Sequence, residues 1–506
     1  MPLRPRFAFL TLLLASGCTV GPDFVAPAPN TPASWSATQV AQPANVVSTA
    51  APDTAWWHSF NDSELESLIA RAAESNLTLK QAAIRIAEAR SQREVAGARD
   101  LPRLGLDNSY TRSRISPNGA LSLFGGGGGG SEQEGGSGAA NAGAFPAFGS
   151  LPPFGIFQSG FDATWEIDLF GKVRRSVESA DAQAEATIED RNDMLLAIYA
   201  EVARDYIQLR GLQKLIAVTE SNLAAQRQAY DLTRAQQEGG QTSRLDVESA
   251  AAEVATTEAQ LPTLQDQKTR TINALSRLLG REPGALQAEL DSVKPIPAVR
   301  AAVPIGLPSE LARRRPDIRR AEADLHVATA NIGVAVADLY PRVSLFGQVG
   351  VQALKFDKLG DWASHFYNFG PSLSIPIFNG TTYATISLEE GRQQEAALVY
   401  ENTVLGALHD VENAVSTYGA EQVRFGALQR AATANRNSVS LAQQRYKAGL
   451  SSFLEVLDAE RRLYASEIAA ANSEMAISTG VVAVYKALGG GWDIAQPGAT
   501  QTVAVR

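Results

Sequence analysis

The chain has 506 residues, with 45 Lys and Arg against 54 Asp and Glu and a formal net charge of -9, a balance that excludes a nucleic-acid binder. At 45% hydrophobic residues it is an ordered protein, long enough to bury a large core. No run approaches the roughly 18 consecutive apolar residues of a membrane-spanning helix, so a polytopic helical transporter is excluded and any passage through a membrane falls to strands.

The first element is an export signal. Arg4 and Arg6 precede an apolar run from Phe7 to Leu14 and the small residues Ala15, Ser16 and Gly17, so residues 1–17 read as a signal peptide. Cys18 is the one cysteine of the sequence, which excludes an internal disulfide and a multi-thiolate zinc site. Ala15-Ser16-Gly17-Cys18 resembles the bacterial lipobox, in which the thiol receives diacylglycerol and the new amino terminus is acylated after cleavage. Ala15 stands where Leu is usual, which leaves ordinary cleavage beside a spare thiol as the alternative. Thr19 after the cysteine points to sorting to the outer membrane.

A helix is expected from Ser63, whose spacing to Glu66 has the form of a capping box, toward Arg99 ahead of Pro102. The period then changes to two. Strands are expected at about 103–115 and 155–169, the second with Phe161, Ala163, Trp165, Ile167 and Leu169 alternating with Asp162, Thr164, Glu166 and Asp168. Between them, the unbroken glycine run 125–130 and the glycines and serines up to Gly138 bury too little surface to offset their entropy, and predict a mobile loop over about 119–150. A phosphate cradle would need a Lys-Ser/Thr pair and a strand-to-helix setting, and this tract has neither.

A proline-free stretch from Lys172 to Gln237 follows. Its residues Leu195, Ile198, Val202, Leu209, Leu212, Ile216, Leu223 and Tyr230 recur at steps of three and four, as in a coiled coil. At about 1.5 Å per residue such a helix extends on the order of 95 to 100 Å. Gly239, Gly240, Gln241 and Thr242 interrupt the pattern and predict a helical hairpin with a glycine tip. Pro262 predicts a kink in the returning helix.

The order then repeats. Asp100-Leu101-Pro102-Arg103 is echoed by Asp338-Leu339-Tyr340-Pro341-Arg342, Leu245-Asp246-Val247 by Leu454-Glu455-Val456, and Leu279-Gly280 by Leu488-Gly489. The second copy offers strands at about 342–352 and 367–378. Its long helix, about Tyr383 to Tyr446, carries Val404, Leu408, Val411, Val415, Tyr418 and Phe425, and its tip is Ala448, Gly449, Leu450 and Ser451. The chain therefore divides into a segment 18–60, a first repeat 61–280, a linker 281–308, a second repeat 309–489 and a tail 490–506. The offset between copies is about 209 residues at the later pairs and about 239 at Pro102 and Pro341, which assigns the surplus to the glycine-rich tract.

Four strands cannot close a barrel, because the smallest closed membrane barrels have about eight and an open edge in lipid leaves backbone groups unpaired. If the strands span, copies must combine: two give eight strands and three give twelve. A soluble, half-buried sheet shows the same alternation.

Further stretches carry a family likeness. They are Cys18-Thr19-Val20-Gly21-Pro22-Asp23-Phe24, Trp56-Trp57-His58-Ser59-Phe60, Asp168-Leu169-Phe170-Gly171-Lys172-Val173-Arg174-Arg175, Arg314-Arg315-Pro316-Asp317-Ile318 and Tyr485-Lys486-Ala487-Leu488-Gly489-Gly490-Gly491-Trp492. With them the sequence resembles the TolC-like outer-membrane factors, in the NodT/OprM-like efflux lipoprotein branch. Only the glycine-rich tract departs visibly.

The resemblance implies an α+β membrane protein: a homotrimer whose twelve-stranded transmembrane β-barrel, four strands per chain, continues as a long periplasmic α-helical barrel. It implies an outer-membrane location with Cys18 carrying diacylglycerol and an N-acyl chain, residues 18–60 as a lipid-anchored equatorial segment, and no other cofactor. The function it implies is the passive exit duct of a tripartite RND-type efflux pump for drugs or other small toxic compounds. The partners would be outer-membrane lipid, a periplasmic membrane-fusion adaptor and an inner-membrane RND transporter. The adaptor would meet the tips at Gly239, Gly240, Gln241, Thr242, Ala448, Gly449, Leu450 and Ser451.

By the same resemblance Leu454 and Asp458 match the Leu and Asp that narrow the periplasmic mouth, and their spacing of four puts both on one helix face. Leu245 and Ser249 occupy the corresponding places of the first repeat, so a trimer would carry three aspartates. Like-charge repulsion in such a ring would make closure sensitive to pH and to divalent ions. The alternative is an Asp458 paired along its helix with Arg461 or Arg462.

Other classes lack their parts. His58, His326, His365 and His409 are scattered, without an HExxH helix or a nucleophile elbow, so neither a catalytic nor a metal site is expected. Asp361 and His365 read as a solvated polar pair, and the arginines at 313–315, 319 and 320 as a surface salt-bridged by Glu310, Asp317 and Glu322. A trimeric coiled-coil adhesin would lack the duplication with its two strand pairs. A duct for type I protein secretion is the remaining alternative.

Overall fold

The computed structural model describes residues 19–36, 47–48, 50, 53–114, 153–299 and 302–492. The signal peptide, Cys18, the glycine-rich tract at 119–150 and the tail beyond Trp492 lie outside the described residues.

The first helix departs from its expected form. Asp62, not Ser63, is its cap: the Asp62 carboxylate accepts the backbone N–H of Glu64 at 3.0 Å and of Leu65 at 3.1 Å, and Ser63 is already helical. The helix also divides. Helix α1 (Ser63–Ser75) stops at Asn76, whose backbone turns extended, and α2 (Leu77–Gly97) restarts there because the Asn76 side chain accepts Thr78 N–H at 2.8 Å. Asn76 is buried, and its amide nitrogen donates to the Leu278 carbonyl at 2.8 Å, so a tertiary contact fixes the break.

Helix α3 (Lys172–Glu238) has 67 residues. After the first tip come α4 (Arg244–Glu258) and α5 (Gln260–Leu278). The break at Ala259 has a direct cause, since Pro262 lacks the amide that would bond to the carbonyl of Glu258 and its ring crowds that turn. The second repeat contributes α6 (Pro316–Ala337), the 68-residue α7 (Gly380–Lys447) and α8 (Phe453–Ala487).

The strands form one antiparallel sheet of β1 (Arg103–Ser113), β2 (Phe154–Ile167), β3 (Arg342–Ala353) and β4 (His365–Ser374), in that order. Its register pairs Leu106 with Phe161, Phe161 with Val349, and Val349 with Tyr367. The central pairing, β2 with β3, joins the two repeats.

Two compact units divide the chain. The first, Glu94–Glu178 and Ala330–Glu389 with the residues up to Pro22, holds the sheet. In it, Val20 N–H bonds the Phe170 carbonyl at 3.2 Å, and the buried Arg175 side chain donates to the Val20 carbonyl at 3.1 Å. Gly171, at φ +83°, leaves room for Thr19, whose Cα would lie 3.0 Å from a Cβ there. The run from Asp168 to Arg175 is thus the seat of the amino-terminal segment.

The second unit, Asp23–Arg93, Ser179–Thr329 and Glu390 onward, is mostly helical. Its main core gathers Trp56, Leu65, Ile69, Tyr206, Ile207, Leu275, Val481 and Tyr485, with Trp56 stacked on Tyr485 at 5.5 Å. Arg210 is fully buried there, paired with Glu64 and donating to the Ser292 carbonyl at 2.7 Å. A short parallel pairing of Val47–Ser48 with Val303–Pro304 ties the amino-terminal segment to the linker.

Candidate functional site

The two hairpin ends are built alike. Gly240 adopts φ +74°, its N–H bonding to the Gln237 carbonyl at 3.0 Å and that of Gln241 to the Gln236 carbonyl at 2.8 Å. Gly449 adopts φ +68°, with Gly449 N–H on the Tyr446 carbonyl and Leu450 N–H on the Arg445 carbonyl, both at 2.9 Å. These are left-handed glycine caps of the Schellman type, and each closes a long helix within two residues. Nothing lies within 4 Å of a Cβ placed on either glycine, so both tips are open. Leu450 beside the second tip is 70% exposed.

The returning helices start differently. Ser243 and Asp246 form a reciprocal capping box at α4, and the Asp246 carboxylate also accepts Ser243 Oγ at 2.8 Å and Thr242 Oγ1 at 2.6 Å. The Thr242 hydrogen bond, first among the causes, holds the Asp246 carboxyl below its ordinary value. Ser452, the equivalent of Ser243, makes no side-chain cap bond. The Ser-x-x-Asp spacing at 243–246 is a readable signal that the sequence analysis passed over.

Leu454 stands in the first turn of α8 and Asp458 one turn on, both exposed. Phe453, Val456 and Leu457 point the other way, into a buried cluster with Ala250 of α4, Tyr230 of α3 and Tyr446 of α7. Asp458 pairs with Arg462 at 2.9 Å, and Arg461 turns instead to Glu253 of α4 at 2.6 Å. Glu460, which sequence reasoning missed, is 4% exposed and accepts a hydrogen bond from Gln443 Nε2 at 3.0 Å. Burial pushes its carboxyl above the ordinary value, and the nearby Glu253 charge adds to the rise.

The remaining candidates resolve as structure. Asp361 pairs with Lys358 at 3.2 Å and His365 Nδ1 meets the Trp362 carbonyl at 2.9 Å, and both residues are exposed, as expected of a solvated polar pair. In the arginine cluster, Arg314 pairs with Glu310, Arg315 with Asp317 and Asp410, Arg319 with Glu189, and Arg320 with Asp190. No group of three or more His, Cys, Asp or Glu that could hold a metal ion occurs among the described residues. Nor is any helix among them long and apolar enough to cross a membrane.

The sequence profile of outer membrane efflux proteins matches residues 68–281 and 307–490, one block in each repeat. The chain belongs to the outer membrane efflux protein family. Outer membrane protein OprJ of Pseudomonas aeruginosa is 31% identical over 97% of both chains. Pyoverdine export outer membrane protein OpmQ of Pseudomonas putida is 31% identical over 96% of this chain and 97% of its own. Nodulation protein T of Rhizobium leguminosarum bv. trifolii is 30% identical over 92% of each.

Among solved structures, the outer-membrane channel OprN superposes with a TM-score of 0.82 at 34% identity, over 94% of this chain and 100% of that one. The open-state MtrE outer membrane channel of Neisseria gonorrhoeae gives 0.74 at 26% identity, over 94% and 98%. This efflux protein therefore shares the TolC-like channel fold and is an outer-membrane component of an efflux pump. The family is one of channels rather than enzymes.

Proposed function

We propose that three copies of this chain close a twelve-stranded barrel in the outer membrane and a helical barrel in the periplasm, forming the exit duct of a tripartite pump. One observation carries the reading: the sheet has an apolar face that is exposed. Leu104, Leu106, Tyr110, Phe161, Val349 and Tyr367 share that face by register, and each is more than half exposed. The opposite face presents Asp107, Asp162, Thr164, Gln348 and Asn368. Lipid outside and water inside is the environment this arrangement suits. Edge strands β1 and β4 each have one partner within the chain, so lipid would demand another copy on either side.

Lipidation of Cys18 fits the same placement, because Thr19 is seated at Gly171, four residues beyond the end of β2. The tips at Gly240 and Gly449 would meet the adaptor, which passes cargo from an inner-membrane RND transporter. Leu454 and Asp458, on the exposed side of α8, would narrow the mouth. Drugs or other small toxic compounds are the proposed cargo, a choice supported by a relative named for pyoverdine export rather than for protein secretion.

Two measurements test this reading. Native mass spectrometry of the lipid-embedded protein should give three chains, and a mass of one or two would overturn the twelve-stranded barrel. Photocrosslinkers at Gln241 and Leu450 should capture a periplasmic adaptor in cells with an active pump, and their failure beside an efficient crosslinker control would remove the tips from the docking surface.

A further inference from the structure

The helices change character a short way behind the hairpin ends. One apolar cluster, at the ends, joins Ala250, Phe453, Val456 and Leu457. The next joins Leu212, Leu215 and Ala471, with Leu264 and Ile468 packed on it. Between the two, the buried side chains are mostly polar, Thr219, Gln226, Thr257, Glu460 and Ser466, with Leu223 and Ala432 as apolar members. The returning helix of the first repeat also breaks in this interval, at Ala259 ahead of Pro262, while α8 of the second repeat runs through without interruption. Two separately packed layers, joined through a mostly polar interval and one broken helix, have the composition of a hinge.

Tyr464 of α8 spans the break. Its hydroxyl donates to Gln260 Oε1 at 2.6 Å and lies 3.0 Å from Thr219 Oγ1, which also donates to the Leu215 carbonyl at 2.8 Å. A single phenol thus ties the first residue of α5 to the middle of α3. Two hydroxyl protons serve these three contacts. Turning the Gln260 amide so that its nitrogen faces the phenol satisfies all of them in one chain, from amide to phenol to Thr219 to the Leu215 carbonyl. At the offset of 209 residues the first-repeat equivalent of Tyr464 is Ala255, so only the second copy supplies this tie.

We infer that Tyr464 is a positioning residue, a latch that holds the break at Ala259 to Pro262 against α3. When it releases, the hairpin ends beyond the break, with Leu454 and Asp458, move as one packed module. The inference rests on the reading of these ends as the inner mouth of the duct. Tyr464→Phe keeps the ring and removes both contacts, and Gln260→Leu removes one from the other side.

The test pairs amide hydrogen exchange of the purified, assembled protein with single-channel recording. Tyr464→Phe should speed exchange at Ala259 to Leu264 roughly tenfold, the effect of losing one or two modest hydrogen bonds, and leave the core around Tyr206 unchanged. Openings should become several-fold more frequent, and Gln260→Leu should reproduce both effects more weakly. Unchanged exchange at the break overturns the latch. Leu454→Ala with Asp458→Ala, recorded in parallel, separates the two readings. If that pair alters the openings and Tyr464→Phe does not, the latch fails and the mouth stands. If neither alters them, the mouth reading fails, and with it the coupling of Tyr464 to conduction.

Discussion

Asp458 and Arg462, one turn apart on α8, form an ion pair of 2.9 Å in which both side chains remain more than half exposed. Exposed pairs of this spacing contribute about 0.3–0.5 kcal/mol, so this one orients the carboxylate without holding the fold. Leu454→Ala with Asp458→Ala should therefore leave thermal stability nearly unchanged and give larger, more frequent openings in a planar bilayer. Openings like those of the parent, with the same block by divalent cations, would place the constriction elsewhere.

The caps of the two returning helices predict an asymmetry. Ser243→Ala removes a capping box and should cost about 1 kcal/mol, whereas Ser452→Ala removes a side chain that makes no cap bond and should cost little. Chemical denaturation of the two variants, compared at equal slope, reads the difference. Equal losses would mean that the first box is not formed in solution.

Glu460 predicts a dependence on pH. Its carboxyl is raised above the ordinary 4.5 by burial, so the folded chain holds that proton more tightly than the unfolded chain. The stability this provides is complete below about the ordinary glutamate value and is lost as pH rises through the raised value. Glu460→Gln keeps a partner for Gln443 and cannot ionise, so it should melt higher than the parent at neutral pH and converge with it in acid. A melting difference that is constant with pH would show that Glu460 does not titrate in this window.

Much of this architecture is legible in the residues. The alternation of Phe161, Ala163, Trp165 and Ile167 lies within β2, and the proline-free runs after Lys172 and before Tyr446 lie within α3 and α7. Periodicity is a local property, and long elements repeat it often enough to be read. The division of the first helix was hidden because the Asn76 amide acts through Leu278, some two hundred residues away. Ser63 with Glu66 imitated a capping box, while Asp62, one residue earlier, has the carboxylate that reaches the free amides. At the hairpin ends, glycines disclose the tips because left-handed caps need them. Glu460 and Tyr464 carry no such mark, since their roles depend on which neighbouring helices face them.

Anchoring makes a separate prediction. If Cys18 is lipidated, Cys18→Ala should abolish the lipid mass on the mature amino terminus and still permit assembly of the proposed trimer, because the proposed barrel would provide a second attachment. Mass spectrometry of the amino-terminal peptide decides it, and a mature chain with a free thiol or one beginning at Thr19 would count against lipidation.

Planar-bilayer recording of the purified, detergent-solubilised protein tests the central claim most directly. A duct closed by strands from three copies should give discrete, reproducible conductance steps, enlarged by Leu454→Ala with Asp458→Ala. Insertion into the bilayer without any conductance, in parent and variant alike, would contradict the account of this chain as an exit duct.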